Sequence, residues 1–241
     1  MTPSGSGMLV ASFIAMPLAL AGLLLYAIEC LVRRRELPRR TFLVVLAGLI
    51  VWLGVWGGIA RSGALNVWDG LPPRALPALI ALFATNLWFA FSRTGRALAQ
   101  GVSFRWLIGF QVFRLPLELM LHRAMVEGLM PPQMSFEGYN FDIVTGISAG
   151  AIALTSVWFT LPRWVCWAFN VVGSTLLAII VTIAIASIPT FALFGPDRTN
   201  TWVFGFPYVY LPAVMVQWAL LGHLLVFRKL RMTSHGPARA G

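Results

Sequence analysis

The stretch whose residue types and spacing best suit chemistry is Phe110-Gln111-Val112-Phe113-Arg114-Leu115-Pro116-Leu117-Glu118-Leu119-Met120-Leu121-His122. On a helix turning about 100° per residue, Arg114, Glu118 and His122 fall at roughly 0°, 40° and 80°, and Gln111 at roughly 60°. Four polar side chains then share one narrow arc of an otherwise apolar helix. Arg114 and Glu118 are spaced i, i+4, so they can pair on the helix itself. Glu118 and His122 have the same spacing, which lets a carboxylate and an imidazole exchange a proton or bind a cation. Pro116 lies between the charges and frees the carbonyl of Val112, which predicts a kink beside them. These residues support two readings. One is an ion pair that only fixes helix orientation; the other is a site for a ligand, an ion or a proton.

A second polar stretch, Ser135-Phe136-Glu137-Gly138-Tyr139-Asn140-Phe141-Asp142, follows closely. Asn140 or Asp142 can serve as the N-cap of a following helix. A helical hairpin would also bring Glu137, Asn140 and Asp142 to the level of Glu118 and His122. The expected pocket is Arg114, Glu118, His122, Asn140 and Asp142, with Gln111 and Glu137 as further contributors. A Glu, a His and an acid can hold a divalent cation, but a single His is a thin ligand set, so no metal is expected. No cofactor is expected, and no residue is assigned a catalytic role.

Other motifs exclude chemistry. Gly146-Ile147-Ser148-Ala149-Gly150 reads G-x-S-x-G, yet a nucleophile elbow needs a strand-to-helix turn and Ser148 lies inside a helical run. The same glycines form G-x-x-x-G, as do Gly54 and Gly58, a spacing that lets helices approach closely. Cys30 and Cys166 form no C-x-x-C motif and are expected as free thiols at cytoplasmic helix ends. The single lysine, Lys229, lies at a membrane edge, which removes a retinal Schiff base. No phosphate-cradling glycine loop is present.

The elements that must position these residues follow from composition. Of 241 residues, 59% are hydrophobic and only 11% charged, against about 25% charged in a soluble domain. So much apolar side chain cannot be hidden from water, so the solvent is lipid. Seven apolar runs are long enough to be read as spans: Met8–Val32, Thr41–Ala60, Ala75–Ser92, Arg105–Leu121, Phe141–Leu161, Trp164–Ile188 and Trp202–Phe227. The runs are continuous rather than alternating, which points to helices and away from a barrel. The expected fold is all-α, one seven-helix domain over 1–230, with 231–241 a disordered cytoplasmic tail.

The net charge of +10 comes from basic residues between the runs. Arg33, Arg34, Arg35, Arg39, Arg40, Arg93, Arg96, Arg105, Arg163, Arg228, Lys229, Arg231 and Arg239 lie on one side, against Arg61, Arg74, Arg123 and Arg198 on the other. The richer side is cytoplasmic, which puts the N-terminus outside and requires an odd number of spans. This placement suits anionic headgroups rather than nucleic acid. Met1–Gly7 carry no charge, so the first run is expected as an uncleaved span rather than a signal peptide. Trp68, Trp202, Tyr208 and Tyr210 at outer ends, and Trp106, Trp164 and Trp167 at inner ends, are expected as interfacial anchors. Glu29, Asn86, Asn170, Gln217 and His223 are expected in interhelical hydrogen bonds, with His223 towards the cytoplasmic end.

The blocks FRLPLELMLH, MSFEGYNFDIVTGISA and FPYVYLPAVMVQWALLGHLLVFRKL resemble an uncharacterised family of bacterial multi-helix integral membrane proteins, over roughly residues 105 to 230. The family has no established activity. The resemblance implies a multi-pass protein of the bacterial inner membrane in which the charged fourth helix and FEGYNFD belong together. The function expected is an outward-facing polar pocket between helices four and five that binds a small ligand or ion for transport or sensing, with membrane lipids as partners. Alternatives are an intramembrane enzyme acting on a lipid, or an accessory subunit whose charges are structural.

Overall fold

A computed structural model gives the arrangement of residues 5–233. Among these residues every regular element is helical. In chain order they are α1 (Gly7–Arg33), α2 (Arg39–Arg61), α3 (Ala75–Phe91), α4 (Arg93–Gly101), α5 (Phe104–Gly109), a 3-10 turn (Phe110–Phe113), α6 (Arg114–Val126), a 3-10 turn (Pro132–Met134), α7 (Ile143–Thr155), α8 (Arg163–Ala186), two 3-10 turns (Pro196–Arg198 and Trp202–Phe204), a π-turn (Leu211–Met215) and α9 (Val216–Thr233).

Starts and stops have local causes. Ser6 caps α1 by accepting from the Leu9 N–H at 3.4 Å. Pro38 and Pro162, both extended, stand just before α2 and α8 and cannot continue a helix backwards. Ser92 both ends α3 and caps α4 through its hydroxyl, which accepts from the Gly95 N–H at 3.1 Å. The chain bends 61° there.

Among the described residues, four helical segments are long and apolar enough to cross a membrane: α1, α2, α8 and Leu211–Thr233. A fifth exists if bent α3 and α4 count as one span. Leu43, Val44, Ile50 and Val51 of α2, and Val171, Val172 and Ile179 of α8, face outward. A broad apolar exterior of this kind marks a membrane-embedded protein.

The last helix is the centre. The Leu211–Thr233 span is 61% buried, against 28% for α1 and 11% for α2. α3, α4, α5 and α8 all pack on α9, and α1 packs on the π-turn before it. The basic end of α9 is built into neighbouring helix ends. Arg228 Nη1 donates to the carbonyls of Ala90 and Ser92. Lys229 Nζ donates to those of Ala99 and Gln100. Arg34 likewise reaches the Gly101 carbonyl, and Arg163 that of Leu230. Residues that read as topology signals therefore also satisfy orphan carbonyls at helix C-termini.

Three expected spans differ. The seventh begins at Leu211 rather than Trp202, because Trp202–Phe204 form a 3-10 turn and the chain then turns through Gly205–Tyr210. Trp202 and Tyr208 are core residues packed edge-on against Phe13, at centroid distances of 5.7 and 5.1 Å, so they are not interfacial anchors. The fifth shortens to α7, whose 13 residues span only ~20 Å. The fourth is a broken path from α5 through the 3-10 turn into α6. α9 also continues through Arg231, Met232 and Thr233, so the tail expected from 231 is helical at its start. Its remainder, 234–241 with Arg239, lies outside the described residues, as do Met1–Ser4. Cys30 and Cys166 are free thiols.

Candidate functional site

The site is built where α6, α7, α8 and α9 meet. Pro116 offers no N–H to Val112, and the turn just before α6 is tightened to 3-10, with the Arg114 N–H donating to the Gln111 carbonyl. α7 lies so close to α6 that a Cβ on Gly146 would stand 2.7 Å from the Leu115 backbone nitrogen. That approach carries the N-terminal end of α7, with Asp142, to the start of α6.

Arg114 is fully buried. Its Nη1 lies 3.0 Å from Asp142 Oδ1 and 3.3 Å from His223 Nε2. Asp142 occupies the N-cap position of α7 but makes no side-chain cap bond. Its carboxylate serves Arg114 and accepts from the Thr145 hydroxyl at 3.3 Å. Asn140 joins the two acids: its Oδ1 accepts from the Asp142 N–H at 3.1 Å, and its Nδ2 lies 2.9 Å from both Glu118 oxygens. Nδ2 also donates to the Met134 carbonyl at 3.1 Å.

The guanidinium therefore pairs with Asp142 across two helices rather than with Glu118 on its own helix. Close packing at Gly146 delivers Asp142 directly, while Glu118, one turn on, meets the amide of Asn140.

His223 has a defined proton arrangement. Asn170 Nδ2 donates to the His223 carbonyl at 3.1 Å, which turns Asn170 Oδ1 towards ring Nδ1 at 2.8 Å. An amide oxygen only accepts, so Nδ1 carries the hydrogen and Nε2 offers its lone pair to Arg114. Gly173 of α8 makes room for the ring, since a Cβ there would lie 2.6 Å from His223 Cε1.

Other expected members fall elsewhere. His122 stacks on Phe136 and lies 3.4 Å from Glu137, with 32% and 57% of those two side chains exposed. Gln111 is buried but donates to the Ala219 carbonyl at 3.0 Å, tying the 3-10 turn to α9. Ser148 donates to the Val144 and Thr145 carbonyls of its own helix. Gly54 and Gly58 face open space, so the G-x-x-x-G packing is used at Gly146 and not in α2.

Sequence reasoning missed His223 as a partner of Arg114, with Asn170 behind His223 and Thr145 behind Asp142. A span begun at Trp202 puts His223 near the cytoplasmic end. A helix from Leu211 to Thr233 puts it at mid-depth, level with Arg114. The available signal was the rule that intramembrane polar groups seek one another.

Beside this network lies a cavity of about 90 Å³. Arg114, Glu118, Asn140 and Asp142 form one wall, with Asn200 and Gln217 nearby. The rest is apolar, from Leu79 and Phe83 of α3, Leu177, Ile180 and Ala184 of α8, and Met215 at the entry to α9. The space thus lies among α3, α6, α8 and α9 and not between the fourth and fifth expected helices alone. The π-turn that lines it through Leu211 and Pro212 has its carbonyls held from outside: Gln217 takes Pro212 and Trp52 takes Ala213. Among the described residues, Arg114 Nε and Nη2 have no hydrogen-bond partner. No three His, Cys, Asp or Glu side chains among those residues come together as a metal site.

Compared with models of protein families, with curated proteins and with solved structures, the chain matches none.

Proposed function

We propose that this is a seven-spanning protein of the bacterial inner membrane, N-terminus outside, whose Arg114 cavity binds a small ligand or ion for transport or sensing. The observation that carries the reading is a fully buried arginine beside a cavity with two N–H-bearing nitrogens unpartnered. A buried donor left unmade costs about 1–3 kcal/mol, and more when charged. A purely structural pair would close over its arginine. The seven spans are supported by the path Phe104–Val126, which covers ~34 Å, and by α7 as a short span. The resemblance of the FEGYNFD block to bacterial inner-membrane proteins supports the location.

A second reading, an enzyme acting on a lipid, is favoured by one observation. Glu118 and Asp142 line the cavity, and His223 contacts the same arginine. An accessory subunit predicts a solid bundle at Arg114, against which the cavity argues.

The test is native mass spectrometry of the protein extracted in native nanodiscs, with Arg114→Met/Asp142→Leu as comparison. A ligand site predicts a non-covalent adduct of fixed mass on the wild type that the folded double variant lacks. The same adduct on both proteins, or on neither, overturns the reading.

A further inference from the structure

The chemistry of the cavity wall narrows the ligand, and this step rests on the binding reading above. The polar wall holds one arginine, and that arginine is already paired. Arg114 is matched by Asp142, and Glu118 adds a second carboxylate held only by the neutral amide of Asn140. An anionic headgroup placed there finds its one arginine already engaged by Asp142 and no second cation to balance it, which disfavours it. What lies along this wall is hydrogen-bonding capacity: Arg114 carries two unpartnered N–H-bearing nitrogens, and Glu118 and Asp142 line the cavity beside it. A hydroxyl both donates and accepts, and it satisfies both sides without adding charge.

The remaining walls are hydrocarbon, and they lead to the bilayer. α3 and α8 both pack on α9, and the cavity lies between them. Its linings Leu79, Phe83, Ile180, Val181 and Ala184 are only partly buried. Their helix neighbours Ile80 and Ile179 are exposed on the outer surface. A cavity of about 90 Å³ has room for a small polar head rather than a whole lipid, so an amphiphile would seat its head at the arginine and lead its chain out along the apolar walls to the bilayer. We infer that the Arg114 cavity takes a single-chain lipid with a neutral, hydroxyl-bearing head, admitted sideways from the bilayer between α3 and α8.

Binding of three probes to the protein in phosphatidylcholine nanodiscs tests this: monoolein, oleate and lysophosphatidic acid. The variants are Ala184→Phe and Leu79→Trp, one on each apolar wall, and Arg114→Met/Asp142→Leu at the polar end. Each is used only if monodisperse, and having two wall variants keeps the test available if one does not fold. The expected result is retention of monoolein at least tenfold above either anion, with a tenfold or greater loss in both the wall and polar variants. Preference for oleate or lysophosphatidic acid overturns the neutral head. Wild-type retention by the wall variants overturns lateral entry of a chain. If no probe binds while the wild type still carries an Arg114-dependent adduct of a water-soluble species, this inference fails and the ligand site stands. If neither probe nor adduct is found, both fail.

Discussion

At the scale of single residues, the site is a chain of dependencies that starts at Arg114. Removing that arginine alone, as Arg114→Met, strands Asp142 in the interior. The expected cost is about 3–5 kcal/mol, the usual penalty for breaking a buried pair. Replacing both partners, as Arg114→Met/Asp142→Leu, should recover most of it, since two matched apolar groups leave no charge unpaired. Denaturation of the detergent-solubilised proteins checks this; a double variant no more stable than the single one would show that Asp142 is not the main partner. The burial of Arg114 and Glu118 was legible from cost alone, because charges within apolar runs must turn inward, whereas Asn140 and Asp142 were reached only through the expected hairpin. The pairing was not legible. Helical spacing favoured Arg114 with Glu118, and only the close approach at Gly146 and the amide of Asn140 reassign the acids. His122 shared the arc by spacing but lies a turn further out, stacked on Phe136.

At the scale of elements, helix ends carry most of the specific information. α1 ends with Arg35 in the left-handed region, φ 61°, while α6 ends with Gly128 there at φ 74°. A side chain in that conformation costs about 1–2 kcal/mol, which glycine does not incur. Arg35→Gly should therefore raise stability by about 0.5–1 kcal/mol, read as a higher Tm; a fall would show that the arginine makes a compensating contact. The other end of α1 is tied to the end of α6. Glu127 accepts from the Ser6 N–H and hydroxyl, each at 2.7 Å, and from Arg123 at 2.6 Å. The Ser6 backbone bond leads, followed by the Ser6 hydroxyl and Arg123, in holding this carboxyl down at about 2, from an ordinary 4.5. A depressed acid contributes its stability above the unfolded value and loses it as pH falls towards the folded one. The Tm difference between wild type and Glu127→Gln should be full above about pH 4.5 and shrink steadily below it. A difference unchanged between pH 6 and pH 3 would exclude this tie. Starts set by Pro38 and Pro162 were legible to within two residues. The 3-10 and π-turns were not, because they answer to tertiary contacts such as Gln111 on the Ala219 carbonyl and Trp52 on that of Ala213.

At the scale of the whole molecule, composition and basic-residue placement made an all-helical, lipid-embedded chain legible, and the proposed threading is directly testable. A cytoplasmic reporter fused after Ser103 should be active, and a translocated one after Asn200; the reverse pair would invert the topology. The central position of α9 was less visible, because hydropathy ranks it below α1, α2 and α8. Its polar face is what suits it to the middle: Gln217 and His223 are buried there, and Arg228 and Lys229 close the ends of α3 and α4. This central helix is also made after every described helix that packs on it. At roughly 5–20 residues per second, on the order of ten seconds or more separates the completion of α3 from that of α9. Over that interval Asn86 waits without Gln217, and Arg114, once made, waits without His223. Until α9 arrives the nascent chain must therefore be shielded from lipid, with Asn86 unmatched and Arg114 held by Asp142 without His223.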